Sequence, residues 1–178
     1  MKTPRHEEIK QEFVEYVVKI NRCATVVKGG RRFCFSALVV VGNQNGQVGI
    51  GFGKANEVPP AVQKAIKDAH KSMFNVDVCG DTIAHESIGK YGATKVFLKP
   101  AAPGTGVIAG SSVRAVLQAA GVQNILSKVY GSTNPVNVVK ATLQAIKNVR
   151  NKKDVMKLRG IALKSKQPQD MEMPKAGK

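Results

Sequence analysis

The sequence predicts an α+β fold in two small domains, a β-β-β-α unit followed by an α/β unit. Three observations predict it. Apolar runs of period two, broken by glycine turns, occupy residues 14–53. A helical pattern opened by prolines closes that stretch before residue 74. A second set of strand and helix patterns, with its own Asn-Pro helix start, then fills 75–150. The expected division is a flexible tail at 1–11, a first domain at 12–74, a second at 75–150 and a basic extension at 151–178.

The elements follow in order. Val14, Tyr16, Val18 and Ile20 alternate with Glu15, Val17, Lys19 and Asn21, which predicts a strand with the first set on one face. "CATVVKGGRR" reads as a strand end and a loop, where Gly29 and Gly30 permit close backbone approach to a partner. Phe33 to Val41 is rich in β-branched and aromatic residues and predicts a second strand. Asn45-Gly46 marks a hairpin turn, and Gln47 to Gly53 the third strand. In "NEVPPAVQKAIKDAHKSMF" the prolines suit a first helical turn. Val62, Ala65, Ile66, Ala69 and Met73 share a core-facing stripe, with Lys64, Lys67 and Lys71 opposite.

The second unit opens with two strands around a glycine-containing loop, in "VDVCGDTIAHESIGKYGATKVFLKP". A loop and helix follow in "APGTGVIAGSSVRAVLQAAG", closed by Gly121. "VQNILSKVYG" is a strand. Asn134-Pro135 caps the last helix, whose Val136, Val139, Leu143 and Ile146 keep register.

Charge narrows the function. The 178 residues carry a formal net charge of +16, well beyond the magnitude of about 2–8 that keeps a small domain soluble. No Asp or Glu lies between Glu15 and Glu57, nor between Glu86 and Asp154. A surface of one sign implies a polyanionic partner. A membrane is disfavoured, because no apolar run approaches the roughly 18–20 residues of a spanning helix, and the N-terminus lacks an apolar signal core. Cys23, Cys34 and Cys79 form no CxxC pair and read as reduced thiols of a cytoplasmic protein. Neither they nor His6, His70 and His85 have metal-ligand spacing, so no metal or cofactor is expected.

The glycine motifs do not bind nucleotide. "GIGFGK" fails the phosphate-loop pattern, since Val48 stands where its first glycine belongs and Ala55 where Ser or Thr would hold Mg²⁺. "GTGVIAG" has its third glycine one residue late, and no acid follows to hold a ribose. Alternating glycines on a strand instead clear one face for a bulky ligand or another backbone. Beside Lys28, Arg31, Arg32 and Lys54, the expected ligand is a sugar-phosphate backbone. Catalysis finds no support: His85-Glu86 is an adjacent pair able to move protons, but no glycine elbow is near it in sequence.

Two long blocks carry a family resemblance. "INRCATVVKGGRRFCFSALVVVGNQNGQVGIGFGKANEVPPAVQKA" and "KPAAPGTGVIAGSSVRAVLQAAGVQNILSKVYGSTNPVNVVKAT" resemble the bacterial ribosomal small-subunit protein five family, over about residues 12–149. The resemblance implies an N-terminal domain like double-stranded-RNA-binding folds and a C-terminal α/β sandwich of the S-five type. It implies a structural constituent of the small ribosomal subunit, in the cytoplasm, without enzymatic activity. The implied partners are rRNA, mRNA at its entrance, and small-subunit proteins four and eight. The implied roles are assembly and decoding accuracy. Ala24, Thr25 and Lys28 match a loop near the spectinomycin site; Gly104, Gly106 and Arg114 match the contact with protein four. The residues expected on RNA are Arg22, Thr25, Lys28, Gly29, Gly30, Arg31, Arg32, Phe33, Asn45, Gly51, Gly53, Lys54, Lys90 and Asn134. The alternative is an RNA-binding or chaperone module outside the ribosome.

Overall fold

The computed structural model describes residues 13–160. The expected N-terminal tail and most of the C-terminal extension lie outside the described residues. The first sheet has the order β1-β2-β3-β4, formed by β1 (Val14–Val27), β2 (Gly30–Gly42), β3 (Gln47–Ala55) and β4 (Phe74–Asn75). Helix α1 (Val58–Lys71) crosses one face of it. The second sheet contains β5 (Ser87–Tyr91), β6 (Thr94–Pro100), β7 (Val107–Ile108) and β8 (Ile125–Gly131), in the order β5-β6-β8-β7. Helices α2 (Ser111–Ala120) and α3 (Pro135–Lys147) cover one face of that sheet, and α4 (Lys152–Leu158) lies at the start of the basic extension. Among the described residues no helix is long and apolar enough to cross a membrane.

The glycines of β3 explain how α1 sits. Ala61, Ala65 and Ala69 are the buried residues of the helix. Gly53, Gly51 and Gly49 face them in turn, and a Cβ at any of the three would collide with the carbonyl oxygen of Ala61, Ala65 or Ala69 respectively. Two strand residues advance about 6.8 Å and four helical residues about 6 Å. One glycine therefore meets one alanine at each turn, and the two backbones come close. Gly89 on β5 admits Ala141 and Ala145 of α3 in the same way.

The two sequence domains share a core. Leu38, Val40 and Val48, on the face of the first sheet away from α1, pack in one cluster with Val116 and Leu117 of α2, Val139 of α3, and Val96, Leu98 and Ile125 of the second sheet. The layers run α1, first sheet, α2 with α3, second sheet. The β2–β3 turn fastens the junction: the amides of Gln44 and Gly46 donate to the carbonyls of Ala119 and Ala120 at the end of α2, at 3.1 and 3.0 Å. Asn75 pairs with Gln47, so the first sheet runs one residue past the expected boundary.

The alternation expected along β1 holds only in part. The ladder with β2 shifts register between Val17 and Lys19. The extra residue of such a bulge turns the rest of the strand over. Tyr16 and Val18 pack into the shared core, whereas Ile20 is exposed. It no longer shares their face.

Candidate nucleic-acid interface

The glycine-arginine segment is not a loop. Strand β1 continues to Val27 and β2 restarts at Gly30, leaving only Lys28-Gly29 as the turn. Gly29 has φ 88° and Lys28 does not enter that region, the φ pattern of a type II turn, which needs glycine at its third position. Strand β3 joins β2 only at Phe35, opposite Ala55. Beyond that point β1 and β2 run on as a two-stranded arm, with Cys23 opposite Cys34, Ala24 opposite Phe33, Thr25 opposite Arg32 and Val26 opposite Arg31. The five steps from Arg22 to Val27 project about 17 Å at roughly 3.4 Å per residue.

Cation stands on both faces of the arm. One face carries Arg22, Ala24, Val26, Arg31 and Phe33; the other carries Thr25 and Arg32. The Arg22 guanidinium lies 3.6 Å from the centre of the Phe33 ring. That stacking holds a planar cation open towards solvent and shields the exposed ring. Val26 is 76% exposed at the tip. A lone two-stranded ribbon is marginal in water, and among the described residues this one has neither a third strand nor a helix beneath its tip. Lys54, opposite Ser36, extends the cationic row at the arm's base.

The arm therefore unites Arg22, Ala24, Thr25, Lys28, Gly29, Gly30, Arg31, Arg32, Phe33 and, at its base, Lys54. It does not include the other expected residues. Gly51 and Gly53 are buried under α1, so no phosphate backbone reaches them; the backbone they admit is the chain's own helix. Asn45 lies at the opposite end of β2, in the turn that fastens the domains. Lys90 stands on β5. Asn134 caps α3, its side chain accepting from the Val136 amide at 3.3 Å.

Gly104 and Gly106 lie in the loop before β7, with φ of 87° and 72° and open space where a Cβ would stand. The Gly106 amide donates to Asn124 Oδ1 at 3.0 Å, which fixes the loop to the start of β8. Arg114 opens into a groove of about 680 Å³ that it lines with Tyr16, Gln44, Asn45, Val107 and Gln118. Arg114 and the loop containing Gly106 thus border the same side of the domain junction. His85 is not poised for proton transfer: its Nδ1 donates to the Glu86 carbonyl at 2.7 Å and its Nε2 accepts from the Arg150 amide at 3.1 Å. Both ring nitrogens are spent on backbone.

Two features had no reading in the sequence. The Arg22–Phe33 stack joins residues that only the β1–β2 register brings together. The outward face of the second sheet alternates lysine with apolar residues across three strands, and strand pairing had to be known to see it.

Comparison with known proteins matches both blocks. Residues 13–77 match the model of the ribosomal protein S5 N-terminal domain, and residues 89–159 that of the C-terminal domain. The chain is 57% identical to the small ribosomal subunit protein uS5 of Rhodopirellula baltica, over 83% of this chain and 84% of that one. It is 55% identical to the uS5 protein of Syntrophobacter fumaroxidans, over 86% and 93%. With both domain models matched in order, and relatives aligned across nearly their whole length, the chain belongs to the ribosomal protein S5 family.

Proposed function

We propose that this chain is a structural constituent of the small ribosomal subunit, in the cytoplasm, and that it docks on rRNA through the β1–β2 arm. The observation that carries the docking is the arm itself: a free two-stranded ribbon bearing Arg22, Lys28, Arg31 and Arg32, in a segment with no carboxylate between Glu15 and Glu57. Arginine and lysine fix the ribbon on phosphates, and a glycine turn lets its tip lie close to folded RNA. The loop before β7 and Arg114 supply a contact for small-subunit protein four, through which the chain affects decoding accuracy. Proximity to protein eight and to the mRNA entrance completes this reading, which leaves no role for catalysis.

The test is a salt titration of the purified protein on an rRNA fragment. If about six phosphates are neutralised, log affinity falls by several units per unit of log salt, by analogy with about −0.9 per phosphate on B-DNA. The double variant Arg31→Gln/Arg32→Gln should lower that slope by about 2, roughly 1 for each lost phosphate contact. A flat titration would sink the electrostatic account. Cosedimentation at one copy per small subunit separates a ribosomal role from that of a free RNA-binding module.

A further inference from the structure

The second sheet has one face under α2 and α3 and one face that nothing covers among the described residues. Strand pairing arranges the open face in rows. Lys90, Lys95 and Tyr130 form one row; Ile88, Phe97 and Lys128 the next; Lys99 and Leu126 stand in the third. Ile88 and Tyr130 are 60% and 55% exposed. No Asp or Glu occurs on these strands, and the nearest carboxylate along the chain, Glu86, stands just outside β5 at the Lys99 end.

Two physical points say what covers the face. Lys90 and Lys95 stand directly opposite each other, and like charges so placed destabilise a sheet. The face is thus arranged against its own stability unless an anion lies on it. An exposed ring, Tyr130, and a half-buried one, Phe97, set between cations, meanwhile, suit a planar ligand that is also negatively charged. Neither an acidic protein surface nor a duplex, with its bases stacked inside, uses both features. Unpaired nucleic acid does, with phosphates for the ammonium groups and base faces for the rings.

We propose that this open face is a platform for an unpaired stretch of RNA. Lys90, Lys95, Lys99 and Lys128 hold its phosphates, and bases stack on Tyr130 and Phe97. The inference rests on the RNA-binding reading of the chain but concerns a surface separate from the arm.

The experiment is fluorescence anisotropy of the full chain with a short labelled oligouridine, beside a structured rRNA fragment. Lys95→Gln/Lys128→Gln should weaken oligouridine binding about tenfold and lower the salt slope by about 1.4, at roughly 0.7 per phosphate on single strands. Tyr130→Ala should weaken it roughly tenfold with the slope unchanged, and Tyr130→Phe should restore it, since the ring face does the stacking. Thermal melts of Lys95→Gln should be equal to or above the parent, because one like-charge pair is gone. Binding of the structured fragment should still respond to Arg31→Gln/Arg32→Gln. If only the arm variant weakens RNA binding, the platform is wrong and the arm reading stands. If neither does, both fail. If the sheet variants bind oligouridine normally but are not incorporated into reconstituted subunits, the face takes a protein and the proposal is overturned.

Discussion

Glycine 51 shows how one residue type can be read two ways. Spacing along β3 announces a cleared face; it does not say what fills it. The occupant is α1, and a methyl group on Gly51 would strike the Ala65 carbonyl. Backbone packed on both sides cannot step aside, so Gly51→Ala should cost near the upper end of the usual overpacking range, about 3 kcal/mol. At about 2–4 °C per kcal/mol for a chain of this size, thermal melts should drop by roughly 10 °C. An unchanged melt with weakened RNA binding would return Gly51 to the RNA surface. Gly106 is the contrasting case. Space around it is open but its φ is 72°, where a side chain costs about 1–2 kcal/mol. Gly106→Arg should therefore lower the melt by a few degrees and leave a folded protein with a new cation on the edge proposed to contact protein four. Raised stop-codon readthrough, in cells whose subunit yield is near normal, is the expected sign. Loss of soluble protein with accuracy unchanged would make the glycine a folding residue only.

At the scale of elements, legibility followed how local the signal was. The prolines of α1, the Asn134 cap and the Gly121 stop are short-range chemistry, and each marks its helix end. In sequence the arm reads as a loop because Gly-Gly flanked by charge resembles one, and only pairing of Ala24 with Phe33 and Thr25 with Arg32 makes it a ribbon. The bulge at Val18 was equally hidden, since no residue type requires it. The arm makes a prediction about Lys28. With a turn of only Lys28-Gly29, deleting Lys28 forces one strand to slip by a residue, which turns its side chains to the opposite face. Arginines on one strand or Thr25 on the other would then face the wrong way. The slip can stop at Phe35, where β3 takes hold, so global stability should change by less than about 1 kcal/mol. Reconstituted subunits carrying the deletion should translate with altered sensitivity to spectinomycin, and an identical inhibition curve would place the arm away from that drug's site.

For the whole molecule, the order of domains along the chain is plain from sequence, but their dependence on each other is not. Each unit has a helix stripe and a sheet face of its own, which reads as two separate cores. Yet the first sheet is apolar on both faces: Ala37, Val39 and Val41 serve α1, while Leu38 and Val40 serve the core shared with α2 and α3. A fully apolar run from residue 37 to 41 is the sequence sign of a strand covered on both sides. Separating the units would expose Leu38, Val40, Val48 and half-buried Ile50 together, and strip Gln44 and Gly46 of their α2 carbonyl partners. Four aliphatic side chains at about 1.5–3 kcal/mol each are comparable to the whole stability of a typical domain, about 5–15 kcal/mol. The full chain should therefore unfold in one calorimetric transition, with calorimetric and van't Hoff enthalpies equal. A fragment of residues 13–77, covering the matched N-terminal model, should fail to melt cooperatively or remain insoluble. Two resolved transitions, or a fragment with a sharp melt of its own, would show that the domains fold independently and that the shared core forms by docking.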